Sequence, residues 1–313
     1  MLTQELTGEA QGSMNQGRFL GLTALAGLLL ASTLCQAAPV ATAVPAHLKY
    51  SSRPALAEPS LRSSAALVLD TTHSSILYSR RPDVAMPIAS ITKLMTALVV
   101  MDAGQSLDEE LTVTSEDRST GKGTASRLAP GTRLTRGDLM HLALMSSENR
   151  AAHALGRNYP GGVAACARAM NAKARELGMT SAHFVEPTGL SDENVASPAD
   201  LSKLVMAAGK VPAIREYSTD SDYVVQVGRR MMQFRNTDSL VSKPDWNIVV
   251  QKTGYISQAG RCLVMQTVID GRNVVIVLLN SFGKRTRVAD AQRVRKWMEA
   301  TLAGHPGPLP ADT

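Results

Sequence analysis

The residues best suited to chemistry in this sequence are a serine and a lysine three positions apart, Ser90 and Lys93. A helix over this segment places both side chains on one face, where the lysine amine can reach the serine hydroxyl. A serine hydroxyl is a weak nucleophile until a base takes its proton, and a lysine can be that base when its pKa is lowered. The pair therefore indicates covalent catalysis by Ser90.

The same spacing recurs at Ser119 and Lys122 and at Ser281 and Lys284, so spacing alone does not select a site. Ser90 differs because it begins an apolar helical pattern, where backbone N–H groups are unpaired. The two other serines lie in glycine-containing segments that are typical of loops. This context favours Ser90.

A second polar motif, Ser147-Glu148-Asn149, lies where one helical pattern ends and the next begins. A hydroxyl at such a point can relay a proton, and an amide can bind a substrate carbonyl. Serine and asparagine also cap helices, and the motif alone favours that simpler interpretation. Glu148 either adjusts substrate choice or is merely solvated.

A third motif, Lys252-Thr253-Gly254, is predicted to close the strand 247–251. Lys252 and Thr253 offer a cation and a hydroxyl to a carboxylate, and Gly254 would let a substrate backbone approach closely. Taken alone, this motif is an ordinary strand end.

Together, the three motifs resemble the Ser-x-x-Lys, Ser-x-Asn and Lys-Thr-Gly set of penicillin-binding proteins and serine beta-lactamases. The resemblance covers residues 65–302. Segments 184–190, 197–201 and 234–237 look like those of low-molecular-mass D-alanyl-D-alanine peptidases, and segment 144–152 is most similar to the endopeptidases among them.

This resemblance implies a serine D-alanyl-D-alanine endopeptidase that cuts peptidoglycan cross-links through an acyl-enzyme on Ser90. It implies Lys93 as the general base, with a facing Lys252 keeping that amine partly neutral by repulsion. Ser147 would relay a proton to the leaving amine, and Asn149 would hold the peptide.

The resemblance also implies that Lys252, Thr253 and Gly254 bind substrate. The backbone N–H groups of Ser90 and Tyr255 would form the oxyanion hole. Peptidoglycan peptides are the expected substrates and beta-lactam antibiotics the expected covalent inhibitors, and no metal or organic cofactor is needed.

Two other functions stay open. A D,D-carboxypeptidase uses the same residues to remove terminal D-alanine, but many carry a second β-rich domain and a C-terminal membrane anchor, whereas this sequence ends soon after its last predicted helix. A non-catalytic peptidoglycan-binding module would not need the paired serine and lysine. A class A beta-lactamase is disfavoured because no Glu-x-x-Leu-Asn segment is present.

The elements that must position these motifs are strands at both ends of the sequence and helices between them. The predicted strands are 65–70, 75–80, 247–251, 261–269 and 273–279, and the predicted helices are 90–101, 136–145, 150–158, 163–177, 199–208 and 287–302. This order predicts an α+β fold, an α/β/α sandwich of the beta-lactamase/transpeptidase type. An antiparallel sheet would be flanked by helices, with an all-helical insert at about 105–240.

The N-terminal residues 1–38 have the layout of a secretory signal peptide, with Met14 as an alternative start. We expect a flexible leader at 39–62, one peptidase domain at 63–304 and a disordered tail at 305–313. Export implies the periplasm, without an integral membrane anchor after signal cleavage.

The formal net charge of +6 favours contact with a polyanion, and export removes the case for nucleic acid.

Two cysteines, Cys166 and Cys262, remain in the predicted mature chain. They could pair in an oxidising compartment or lie buried as thiols.

Overall fold

The computed structural model describes residues 58–118 and 126–303. The predicted signal peptide, most of the predicted leader, the predicted tail and the Ser119 and Lys122 pair lie outside these residues. Within them, no helix is both long enough and apolar enough to cross a membrane.

The described strands, numbered in chain order, are β1 (Ser63–Asp70), β2 (Ser75–Arg80), β3 (Met86–Pro87), β4 (Glu110–Thr112), β5 (Arg133–Thr135), β6 (Val195–Ala196), β7 (Asp222–Val227), β8 (Arg230–Arg235), β9 (Asn247–Ile256), β10 (Gly260–Ile269) and β11 (Arg272–Ser281). The α-helices are α1 (Thr92–Asp102), α2 (Arg136–Met145), α3 (Asn149–Arg157), α4 (Gly162–Glu176), α5 (Pro198–Ala208), α6 (Pro212–Thr219) and α7 (Thr286–Ala303).

Five strands form one antiparallel sheet in the order β2-β1-β11-β10-β9. Successive side chains of a strand point to opposite faces, and in β11 both sets are buried. Val275, Val277 and Leu279 pack in a core with α1 to α5, whereas Ile276 and Leu278 pack in a second core with α7. Helices therefore cover both faces, and the predicted α/β/α sandwich is confirmed.

The apolar pattern of the sequence predicted most of the long helices and strands, but not all of their boundaries. Helix α2 has the predicted bounds, 136–145. A capping box formed by Thr135 and Asp138 fixes its first residue. The predicted insert at 105–240 is not all-helical: besides α2 to α5 it holds helix α6 and two short antiparallel pairs, β4–β5 and β7–β8, none of which was predicted.

Two corrections concern the predicted site motifs. Strand β9 continues to Ile256, which pairs with Gly260, so Lys252-Thr253-Gly254 lies inside the strand rather than at its end. Ser90 lies in a 3-10 turn, Ala89–Ile91, directly before α1 rather than in the helix itself.

Candidate active site

Two glycines from distant parts of the chain pack closely against the turn that carries Ser90. Ala89 adopts a left-handed φ of 50°, a conformation that surrounding contacts must enforce in a residue with a Cβ. A Cβ on Gly189 would overlap the carbonyl oxygen of Ala89, and one on Gly254 would lie 3.2 Å from the Ser90 nitrogen. The space at Gly254 that was predicted for substrate is thus occupied by the chain's own turn.

Lys93 points from the first turn of α1 to Ser90 and is 1% exposed. Its Nζ donates hydrogen bonds to Ser90 Oγ at 2.7 Å, to Asn149 Oδ1 at 2.8 Å and to the Thr188 carbonyl at 2.6 Å. Burial lowers the pKa of Lys93 to about 7, against the opposing charges of Glu186 and Glu148. An amine with this pKa is partly neutral at neutral pH and can accept the Ser90 proton.

Lys252 is fully buried in β9, and its Nζ donates to the Thr253 carbonyl at 3.1 Å. Burial, and next repulsion from Lys93, lower the pKa of Lys252 well below its ordinary value. Burial is the largest cause of the lowered pKa of Lys93, and repulsion between the two lysines lowers the pKa of Lys252. The idea that Lys252 keeps Lys93 partly neutral by repulsion stays a prediction.

The second motif lies between α2 and α3, as predicted. Asn149 is the first residue of α3, and its amide oxygen accepts the hydrogen bond from Lys93. Ser147 has a left-handed φ of 61°, and among the described residues its hydroxyl is not hydrogen-bonded to Ser90 or Lys93. Glu148 is buried and accepts a hydrogen bond from Ser126, and burial raises its pKa, so it is not a solvated carboxylate.

The remaining residues predicted for the site lie on β9, the edge strand of the sheet. Thr253 Oγ1 is 2.6 Å from Thr237 Oγ1, which links this strand to the segment after β8. The Tyr255 side chain is exposed, with the Arg261 guanidinium 4.5 Å from its ring centroid.

Arg287 is a member of this site that the sequence analysis missed. It projects from α7, and its Nη1 lies 3.4 Å from the Gly254 carbonyl oxygen. Its Nε is buried and finds no hydrogen-bond partner among the described residues, so the guanidinium retains a free donor. No local motif marks this arginine, since it occupies one position of an ordinary helical pattern.

Comparison with known proteins gives this geometry its context. The family model described as D-alanyl-D-alanine carboxypeptidase matches residues 52–283, which include all three motifs. The chain belongs to that family. As a member of the D-alanyl-D-alanine carboxypeptidase family, it is a serine-type peptidase, with the Ser90 turn at the junction of sheet and helices.

Relatives of the family include proteins named D-alanyl-D-alanine endopeptidase. One from Pseudomonas aeruginosa is 47% identical over 76% of this chain and 78% of its own length. Another from Escherichia coli is 45% identical over 81% of this chain and 82% of its own length. A solved Streptomyces DD-transpeptidase, 25% identical, matches 78% of this chain and 100% of its own with a TM-score of 0.72.

Three other polar residues of interest lie outside the site. Cys166 and Cys262 are both free and buried, and burial raises their thiol pKa values to about 12 and about 11. His141 stacks between Tyr217 and Tyr223, at centroid distances of 4.6 and 4.0 Å, and so has a packing role.

Proposed function

We propose that the protein is a serine D-alanyl-D-alanine endopeptidase that cuts peptide cross-links in peptidoglycan. The observation that carries this proposal is the buried amine of Lys93, which lies 2.7 Å from Ser90 Oγ and has a pKa of about 7. The two relatives named as endopeptidases, at 47% and 45% identity, support cleavage of cross-links.

The reaction begins when Ser90 Oγ attacks the carbonyl carbon of a D-alanyl residue while Lys93 takes the hydroxyl proton. The C–N bond then breaks, and the proton that Lys93 took from Ser90 passes through Ser147 to the leaving amine, which leaves Lys93 neutral again. Water attacks the resulting ester, which releases the D-alanyl carboxylate and restores the Ser90 hydroxyl. The backbone N–H groups of Ser90 and Tyr255 stabilise the oxyanion in both steps.

Substrate is held along β9. Thr253 and the Arg287 guanidinium receive a carboxylate near the scissile bond, because a hydroxyl and a guanidinium are both good donors to that group. Lys252 completes this side of the site, and Gly254 lets the strand lie against the Ser90 turn. Asn149 binds a peptide carbonyl through its amide nitrogen, since its oxygen is engaged by Lys93.

Beta-lactam antibiotics are the covalent inhibitors that fit this site, because they present a reactive acyl carbonyl together with a carboxylate.

We place the reaction in the periplasm because residues 1–38 have the pattern of a signal peptide. A D,D-carboxypeptidase is the second candidate, because the matching family model is described by that activity.

The test uses purified protein and two kinds of peptidoglycan fragment: cross-linked dimers, and monomers that end in D-alanyl-D-alanine. The variants are Ser90→Ala and a matched control, Ser79→Ala, which makes the same change at an exposed serine of β2. Mass spectrometry of the products gives the readout.

We expect dimers to become monomers without release of free D-alanine, in the wild type and S79A but not in S90A. Release of D-alanine from monomers alone would replace the proposal with the carboxypeptidase. Absence of turnover with both substrates would favour the non-catalytic binding module.

A further inference from the structure

The segment from Glu186 to Ser191 is organised around one carboxylate. Glu186 Oε2 accepts hydrogen bonds from the Thr188 backbone N–H at 2.6 Å and from the Thr188 hydroxyl at 2.5 Å. Oε1 accepts from the Gly189 N–H at 2.6 Å and from Asn194 Nδ2 at 2.8 Å. Both oxygens of Glu186 therefore accept hydrogen bonds from this segment, and Oε1 accepts another from Asn194 beyond its end.

This segment meets the proposed catalytic residues at two points. The Thr188 carbonyl accepts the 2.6 Å hydrogen bond from Lys93 Nζ, which fixes one of the three directions of that ammonium group. The next residue, Gly189, lies so close to Ala89 that a Cβ would overlap its carbonyl oxygen, and would lie 2.8 Å from Ser90 N. The position of the segment thus determines where the base and the nucleophile lie.

We propose that Glu186 is a positioning residue for acylation: its carboxylate holds this segment so that the Thr188 carbonyl sets the Lys93 amine against Ser90 Oγ. The inference rests on the proposed function, because it takes Ser90 as the nucleophile. Glu186 is not a base for deacylation, since neither of its oxygens is free to activate water.

The charge of Glu186 also acts on the pKa of Lys93, and this effect can be measured. Three charged groups act on Lys93: Glu186 from this segment, Glu148 from the α2–α3 connection and Lys252 from β9. The two carboxylates favour the protonated amine, whereas Lys252 disfavours it. Loss of the Glu186 charge therefore lowers the pKa of Lys93 and moves the pH midpoint of acylation to lower pH.

The experiment measures the rate of acylation by a fluorescent penicillin from pH 5 to 9 in the full chain, together with the deacylation rate of the preformed adduct. In Glu186→Gln, the new amide group faces the N–H donors of Thr188 or Gly189, so the segment loosens. The matched control is Glu193→Gln, which removes the same charge at an exposed position of the same connection.

A further variant, Thr188→Val, removes one hydrogen bond to Glu186 but keeps the charge and the backbone carbonyl. This variant separates the effect of the segment's position from the effect of the Glu186 charge. It also provides a test of the proposal if E186Q does not fold. Thermal unfolding of each variant shows whether the protein is folded at the assay temperature.

We expect E186Q to lower the maximal acylation rate by about 10- to 100-fold and to shift the midpoint to lower pH. T188V should lower the rate by about threefold or more at an unchanged midpoint, and E193Q should match the wild type. A folded E186Q with the wild-type rate and midpoint would overturn the inference, and so would a defect confined to deacylation. Absence of acylation in the wild type would instead contradict the proposed function itself.

Discussion

Lys93 shows how burial and charge compete at a single residue. Its amine lies near two carboxylates, each of which favours the protonated form, and yet its pKa falls to about 7. The loss of solvent at a fully buried amine outweighs both attractions. The hydrogen bonds to Asn149 and Thr188 then fix the direction of the amine, so that its remaining function is exchange of a proton with Ser90.

We predict that acylation of the wild-type protein by penicillin increases with pH and reaches half its maximum near pH 7, as Lys93 loses its proton. Lys93→Arg should lower the rate by about 10²- to 10⁴-fold at every pH, because a guanidinium does not deprotonate in this range. Fluorescent penicillin labelling across pH 5 to 9 measures both effects.

The control for this prediction is Lys284→Arg, the same change at the exposed lysine of another Ser-x-x-Lys segment. It should leave the pH profile unchanged. A wild-type rate that is constant across this pH range, or a folded K93R variant with normal labelling, would show that Lys93 is not the base.

At the scale of elements, the site depends on close approach of three segments: the Ser90 turn, β9 and the segment that follows α4. Gly254 lets β9 lie against the turn, and Gly189 lets the segment after α4 approach the same turn. Neither approach leaves room for a side chain. The nucleophile is thus held by backbone packing of elements that are far apart in sequence.

Gly189→Ala tests this packing. Gly189 has a φ of 79°, and its new Cβ would overlap the Ala89 carbonyl oxygen, so the turn and Ser90 must shift. We expect a loss of acylation rate of about 10-fold or more, because small displacements of reacting groups have large effects. Penicillin labelling under native conditions is the measurement.

The matched control is Gly271→Ala in the β10–β11 turn. Gly271 has nearly the same φ, 78°, but its Cβ would meet nothing within 4 Å. Alanine in this conformation costs about 1 to 2 kcal/mol at either position, so both variants should be less stable than the wild type. Equal acylation rates in the two variants would show that close packing at Gly189 does not position Ser90.

The same elements show what the sequence could predict. Helix α2 was predictable to the residue, because an apolar period and a Thr135–Asp138 capping box are both local signals. The end of β9 was not, because Lys252 and Thr253 are polar and suggest a strand end, yet both are buried in the fold. Strand β9 packs against α6 and the Ser90 turn, and no local pattern around residue 252 can reveal these contacts.

Most residues of the candidate site were named from the sequence, but Arg287 and the contacts between the residues were not. Ser90 and Lys93 were recognisable together because they lie one turn apart. The hydrogen bond from Lys93 to Asn149 joins residues 56 positions apart, and that to Thr188 joins residues 95 apart. Arg287 carried no signal at all, since only the packing of α7 against the sheet brings it to Gly254.

At the scale of the whole molecule, the sheet joins the two ends of the folded chain. Strand β1 pairs with β11, so that Ser63 lies opposite Ser281 across more than two hundred residues of sequence. Helix α7 then packs on both strands. The motif strand β9 is held by β10, and therefore the site is complete only when the C-terminal strands and helix have assembled on the first strand.

Asp290 of α7 links the last helix to the first strand, and this link can be tested. Its buried carboxylate accepts hydrogen bonds from the backbone N–H groups of Arg62 and Ser63 and from the Ser63 hydroxyl, at 3.0, 2.8 and 2.6 Å. Asp290→Ala leaves these donors unpaired, which should lower the free energy of unfolding by about 2 to 4 kcal/mol. In a folded unit of this size, that corresponds to a fall in Tm of roughly 4 to 16 °C.

Calorimetry measures this loss, with Asp83→Ala as the control at an exposed aspartate. The acylation rate of D290A at 20 °C should stay within about twofold of the wild type, because Asp290 contacts the β1 end of the sheet and none of the residues around Ser90. An unchanged Tm would show that the junction of the first strand and last helix is held by apolar packing alone. A large loss of acylation without a change in Tm would instead place Asp290 in control of its neighbour Arg287, one turn earlier on the same helix.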